Sequence, residues 1–356
     1  MKSLTEEDSK RITALRFLLI VFVVFIHNNL KADEAINYYH LDFLEPVAIT
    51  WLKAIVTNVL GGAAVPLFFL FAGFLQFSKD DSYKMLLKKR AKSLLVPYIA
   101  WTLLNVLFYF IAQSIPQLSS FFQNENNIVK NWNFVDWLNL FWIHDVGNGH
   151  QMPLVFQFWF VRDLIVLIVF SPLLRFIAKK APFLTLVAIT LCYLNPVPMG
   201  FGTAIFFYMA GFFFAEYGIS FFKLADKIRY GEYAILLLLS AFVSVKNPEC
   251  VKLHSLGTIF SCLFFLKLSL SIIKNEKLFS LSKYLAGFSF FLYAIHTPFL
   301  GTSLNKISYR LIPLHGFGCL VQFIVPSLLC VAIGTAGGIA LKKLCPPLYK
   351  VFNGSR

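Results

Sequence analysis

The stretch ITALRFLLIVFVVFIHNNL, residues 12–30, decides how the chain reads. It is long enough to cross a bilayer as a helix, since a span needs roughly 20 mostly apolar residues. Yet it carries Arg16 and His27. A charge at mid-bilayer costs about 2.5–3.5 kcal/mol on insertion scales, so an ionisable group inside a span is a functional-site candidate by default. The step from Arg16 to His27 is roughly 16 Å along a helix at about 1.5 Å per residue, and close to three full turns. One helix therefore presents a fixed cation low in the membrane and a titratable imidazole high in it, on a common face. The bland alternative is an arginine that snorkels to the near interface and a hydrogen-bonded histidine near the far one.

Working outward, the rest of the composition fits the same class. The 356 residues are 58% hydrophobic and 17% aromatic, and charged residues make up 14%, well below the soluble average of about 25%. No polar segment is long enough to form a separate soluble domain, and no internal repeat is visible. The expectation is an all-α, polytopic membrane bundle forming a single domain over residues 1–356. Its apolar stretches fall at 12–30, 51–76, 93–115, 154–175, 181–195, 200–217, 232–247, 254–273, 284–301 and 316–341. That makes about ten spans, the short fifth being the weakest.

The net charge of +14 is a topology signal rather than a nucleic-acid footprint. Of the 32 Lys and Arg, 22 fall in the N-terminus, the even-numbered loops and the C-terminus, and seven on the opposite side. The positive-inside rule then places both termini in the cytoplasm, with some attraction to anionic membrane lipid. The first segment is too long, and lacks the small-residue site, to be a cleaved signal, so it reads as an uncleaved anchor. In a bacterium this is a multi-pass protein of the cytoplasmic (inner) membrane. The six cysteines read as small packing residues, with a Cys250–Cys319 disulfide on the outer side as the weaker alternative.

The outer loops are uneven. The long loop 116–153 carries Trp132, Trp137 and Trp142, which suit an interface, and then HDVGNGH at 144–150. His144 and His150, six apart in a glycine-rich loop, make a poor metal pair, and no metal is expected. The ionisable residues within spans sort by depth. His27, the adjacent Arg162 and Asp163, and His296 belong to the outer half. Arg16, Lys267 and the run Lys88, Lys89, Arg90 and Lys92 belong to the inner side. Such a layout suits an anionic cytoplasmic ligand that feeds a group to acid–base chemistry near the far face. In the competing reading, Arg162 and Asp163 merely neutralise partners on other helices.

With these landmarks the chain resembles the acyltransferase-3 family of integral membrane acyltransferases. The first helix has Arg16, ten residues, then His27; the second ends in PLFFLFAGF, residues 66–74; the third opens with KKRAKSLLVPYIAW, residues 88–101; WFVRDL at 159–164 and FFLYAIHTPF at 290–299 follow in family order. Two departures stand out. Ala72 replaces the serine before Gly–Phe, and Ser93 follows Arg90 where the family often has a second arginine, with Lys92 beside it. A lysine is a point charge and cannot copy a bidentate guanidinium.

The resemblance implies a cytoplasmic acyl-CoA donor, acetyl-CoA above all, and an outward acceptor hydroxyl on a glycan or lipid-linked sugar. It implies O-acetyltransferase activity, with His27 and Asp163 as catalytic candidates and Arg16, Arg90 and Lys92 as donor-binding ones. Arg162 and His296 are further site candidates. Two other classes compete: a polyprenol-linked glycosyltransferase using Asp33 and Glu34, and a transporter for an anionic glycan or lipid.

Overall fold

The computed structural model describes residues 4–79, 81–116, 128–145, 151–195 and 200–354. Among them the chain is helical, apart from loops and a minimal antiparallel ladder pairing His144 with Met152 and Asp145 with Gln151. In chain order the helices are α1 (Glu6–His27), α2 (Val47–Phe77), α3 (Tyr83–Ser114), α4 (Phe134–Asn139), α5 (Trp159–Val169), α6 (Ser171–Lys180), α7 (Pro182–Leu194) and α8 (Phe201–Glu216). They continue with α9 (Phe221–Lys227), α10 (Tyr230–Lys246), α11 (Val251–Lys274), α12 (Glu276–Ala286), α13 (Ser289–Leu311), α14 (Phe317–Leu344) and α15 (Pro346–Phe352).

Each apolar stretch read from the sequence is mostly helical. Among the described residues, α2, α3, α11 and α14 are long and apolar enough to cross a membrane; the bent pairs α8–α9 (98°) and α12–α13 (52°) raise this to as many as six. Two expected continuous helices are broken. The stretch 154–175 divides into a short 3-10 turn, α5 and α6, because Pro172 cannot donate into a continuing ladder and opens a new helix instead. The stretch 284–301 is interrupted at Thr297 (φ −146°, ψ 155°), ahead of Pro298. The cysteines are all free, so the Cys250–Cys319 pairing is not made. Cys319 instead packs in the core and points its thiol at the Leu44 carbonyl at 3.6 Å.

The contacts divide the chain into two compact units, Met1–Asp80 with Arg175–Ile339, and Asp81–Leu174 with Ala340–Arg356. In the first unit α1 starts on a capping box. The Thr5 hydroxyl accepts from the Asp8 N–H, and the Asp8 carboxylate accepts from the Thr5 N–H. Glu6, Glu7 and Asp8 sit in the first turn, where the helix dipole favours negative charge. The helices α2 and α8 cross with their backbones close together. A Cβ on Gly73 would lie 2.1 Å from the Tyr208 carbonyl oxygen, and one on Gly211 would lie 2.5 Å from both the Leu70 oxygen and the Phe74 nitrogen. Backbone meets backbone there because neither residue has a side chain. Phe77 then seals the crossing edge-on against Tyr208 and Phe212.

In the second unit, α3 passes through a π turn at Ala91–Leu95 and is held by its polar aromatics. Tyr98 donates to the Phe141 carbonyl, and Trp101 Nε1 donates to the Phe352 carbonyl of α15 at 2.9 Å. Val106, Val129, Leu140 and Leu154 make a small core beneath the Trp132 ring.

The two crossing glycines generate a test. Gly73→Val should overpack the crossing and destabilise the protein by about 3 kcal/mol or more. Gly231→Ala, in a helical position with nothing within 4 Å of the added methyl, should be neutral or stabilising by a few tenths to about 1 kcal/mol. Thermal unfolding in detergent separates the two, and equal behaviour would rule out the backbone contact as a major determinant.

Candidate active site

His27 is the last residue of α1, half-buried, with Asn28 as the cap. Its ring lies 5.2 Å, centroid to centroid, from the ring of His296 on α13. His296 is 1% exposed, and its Nδ1 is 2.6 Å from the Tyr293 carbonyl. A carbonyl only accepts, so that contact fixes the proton on Nδ1 and leaves Nε2 with a lone pair. Nε2 is enclosed and has no hydrogen-bond partner. The break at Thr297 makes this placement possible. It ends the first turns of α13 at Ile295 and releases the His296 carbonyl, which faces the Cys330 thiol of α14 at 3.8 Å.

Two asparagines that the sequence reading did not single out complete the cluster. Asn28 is 2% exposed and Asn305, farther along α13, is 8% exposed. Asn305 Nδ2 donates to Asn28 Oδ1 at 3.1 Å. The other ends of the two amides, Asn28 Nδ2 and Asn305 Oδ1, are enclosed without partners. Gly301 lets them meet: a Cβ there would lie 2.6 Å from the His296 oxygen and 2.9 Å from Asn28 Oδ1. The available signal was Asn28 directly after His27 at a helix end, and Asn305 nine residues beyond His296 on a polar helix. Their partnership across the chain was not readable.

The same end of α1 is tied down by its neighbours. Lys53 of α2, 3% exposed, pairs with Glu45 and donates to the Leu30 carbonyl at 3.4 Å, with the rings of Phe43 and Phe323 both 5.6 Å away. Asn58 donates to Ser244 Oγ at 2.7 Å, joining α2 to α10. Asp33 and Glu34, the acids of the glycosyltransferase reading, are exposed at a short π turn.

Midway along α1, Arg16 is half-buried. One turn earlier lies the best-satisfied cation of this unit, which the sequence reading counted only as a loop charge. Arg11 is 1% exposed and makes a bidentate pair with Asp226 of α9 at 2.7 and 2.8 Å. It also donates to Ser269 Oγ (2.9 Å) and the Leu266 carbonyl (2.6 Å), and lies over the Phe222 ring at 4.3 Å. Lys267 donates to the Asp226 carbonyl at 2.9 Å, so it too serves this junction.

The remaining sequence candidates belong to the second unit. Arg162 and Asp163, both under 5% exposed, pair with each other at 2.8 Å. Arg162 also donates to the Trp142 carbonyl at 2.9 Å and sits 5.7 Å from that ring. The pair is thus neutralised by sequence neighbours rather than by a distant helix, and Asp163 keeps one enclosed oxygen without a partner. Arg90 is half-buried before the π turn of α3, Lys92 is exposed in it, and Lys89 is taken by Asp81 at 2.8 Å. His144 meets the Trp132 ring edge-on at 5.6 Å. His150 lies outside the described residues.

Chemically, the first unit offers two neutral-capable imidazoles in contact and an amide pair with spare donor and acceptor atoms. It also carries a fixed cation farther along the same helix. That set suits moving a proton and stabilising a charged oxygen, and it contains no carboxylate nucleophile.

Comparison with known sequences agrees with the family landmarks. A family model described as an acyltransferase domain matches residues 9–342. The succinoglycan biosynthesis protein ExoH of Rhizobium meliloti (strain 1021) is 25% identical over 371 residues, covering 98% of this chain and 92% of that protein. No solved structure matches.

The junction around Arg11 has its own test. Asp226→Ala leaves a buried guanidinium without its main anion and should destabilise by about 3 kcal/mol, near the low end for a broken buried pair because Glu7 stands 3.6 Å away. Asp226→Asn, which keeps one acceptor, should lose less. A melting temperature unchanged in both would show that the pair contributes nothing.

Proposed function

The chain belongs to the acyltransferase family whose domain spans it, and from that membership we propose that it moves an acyl group, acetyl in the simplest case, from cytoplasmic acyl-CoA to a hydroxyl of an extracytoplasmic or lipid-linked glycan. It is a multi-pass membrane protein. The proposed topology has about ten spans in the cytoplasmic membrane, with both termini inside, supported by the distribution of Lys and Arg. ExoH, named for succinoglycan biosynthesis, supports the choice of a surface glycan as acceptor.

The observation that carries the reading is the His27–His296 contact at one end of a helix whose other half holds Arg16. A hydroxyl is a poor nucleophile at neutral pH, and a positioned base contributes about 10²–10⁴-fold. His27 takes that role because it is the more open imidazole and ends at the outward face. His296, its Nδ1 committed to Tyr293, orients the His27 ring. Arg16 meets the phosphates of the donor from the inner side; Arg90 and Lys92, which belong to the second unit, are proposed separately as donor-binding cations. The separation of about 16 Å along α1 suits an extended pantetheine arm reaching from one to the other. Asp163, bound to Arg162, helps to hold the long outer loop rather than to move a proton. The glycosyltransferase and transporter readings leave the histidine contact without a use.

His27→Ala should lower acyl transfer by about 10²-fold or more while the protein still inserts and melts like the parent. His315→Ala, exposed in the last outward loop, should be nearly silent. Surface-glycan mass spectrometry and transfer of label from acyl-CoA both read this. A His27→Ala rate within a few-fold of the parent would remove His27 from the mechanism.

Arg16→Ala should raise the KM for acyl-CoA roughly tenfold or more, the worth of one charge-assisted hydrogen bond, with the acceptor KM within about twofold of the parent. An effect confined to acceptor KM would reassign Arg16 to the acceptor side.

A further inference from the structure

A buried amide that keeps one end unpartnered has given up a hydrogen bond to water without replacing it. Asn28 and Asn305 each do this, and they do it in contact with each other and beside the histidine pair. The contact between them also sets their orientation. Asn28 Oδ1 is occupied by the Asn305 amide, so the free atom of Asn28 is its donor, Nδ2, next in the chain to His27. Among these residues His27 is the half-buried member and therefore the point of entry; His296, Asn28 and Asn305 are more than nine-tenths enclosed.

We propose that Asn28 Nδ2 is the oxyanion donor of the acyl transfer, and that Asn305 is the positioning residue that aims it. This rests on the acyl-transfer reading above. In the step, the acceptor hydroxyl oxygen forms a bond to the thioester carbonyl carbon, and its proton passes to His27. The carbonyl π pair moves onto oxygen, and that oxyanion takes the Asn28 N–H. When the pair returns, the carbon–sulfur bond breaks and the thiolate leaves with the proton from His27. The products are the ester and free CoA thiol. A donor already fixed in a water-poor site stabilises the developing charge without reorganising when the reaction occurs. Gly301 belongs to the device as well, because any side chain there would push Asn28 away from α13.

The test uses the full-length protein in liposomes, with labelled acetyl-CoA and alkali-deacylated surface polysaccharide as probes. Asn28→Asp keeps the shape and the acceptor for Asn305 but removes the N–H. It should lose about 10²–10³-fold in kcat, with KM for acetyl-CoA within about threefold of the parent. Its rate relative to the parent at the same pH should rise as the pH falls and the carboxyl regains a proton to donate, because protonation of the His27 base slows both proteins alike. Asn305→Asp offers Asn28 Nδ2 an acceptor, turns the amide round, and should lower kcat in the same direction. If Asn28→Asp does not fold, the uncharged isostere Asn28→Leu takes its place with the same expected loss. A kcat within a few-fold of the parent, or a loss confined to KM, overturns the assignment. With His27→Ala inactive in the same assay, that result removes Asn28 alone. A parent protein that transfers no label removes both this proposal and the reading beneath it.

Discussion

A guanidinium placed in an apolar helix bundle must be met on nearly every side, because the cost of taking it out of water is several kcal/mol. Arg11 meets that condition with a carboxylate, a hydroxyl, a carbonyl and an aromatic face. Those partners come from α9 and α11, more than two hundred residues away in sequence. The interaction fixes the start of α1 against α9 and α11. Everything the site needs from α1 follows from that, since a rigid helix carries the setting of Arg11 to Arg16 and on to His27 at its end.

The far end of α1 is set by close approach rather than by charge. Gly61 of α2 leaves room for Ile26, whose side-chain atoms would otherwise lie 2.8 and 2.9 Å from a Cβ. Gly301 of α13 leaves room for Asn28. The interruption at Thr297 brings α13 past the end of α1 as two helical pieces. Non-helical backbone is tolerated at such depth only when it is buried in protein or lines a cavity. Here the break stands directly beside the histidine contact, which is how discontinuous helices serve sites in membrane proteins generally.

Hydropathy made the helices legible, because every backbone group in a membrane must pair within its own segment and the apolar runs are correspondingly long. The same averaging hid what happens inside the runs. The π turns of α2 (Ile55–Leu60) and α3 and the break in α13 change no residue's hydropathy. Arg162 and Asp163 could be read as a pair because they are adjacent. Arg11 and Arg16, by contrast, are equivalent by composition; that Arg11 meets Asp226 is a long-range fact to which no local pattern points. His27 and His296 were both visible as ionisable groups within spans, while their contact depends on how α13 folds back. Asn28 and Asn305 carry no charge and broke no hydropathy rule, so nothing in the chain alone marked them.

The polar groups of the first unit therefore fall into two kinds, and the difference is informative. Arg11 and Lys53 are buried and well provided with partners, and each joins helices or loops. Their chemistry is spent on the fold. His296, Asn28 and Asn305 are equally buried and keep an atom unpaired. Unpaired atoms also occur at Gln76, Ser78, His254, Ser289 and Thr335, and at both ends of the Gln322 amide. What distinguishes the three is that their residues adjoin one another and His27, through Gly301 and the Asn28–Asn305 bond. Unpaired buried atoms cost free energy, so packing alone gives no reason to keep three of them together. A substrate that brings one carbonyl oxygen and one hydroxyl does, because it supplies an acceptor for the amide and a proton for the imidazole in a single binding event.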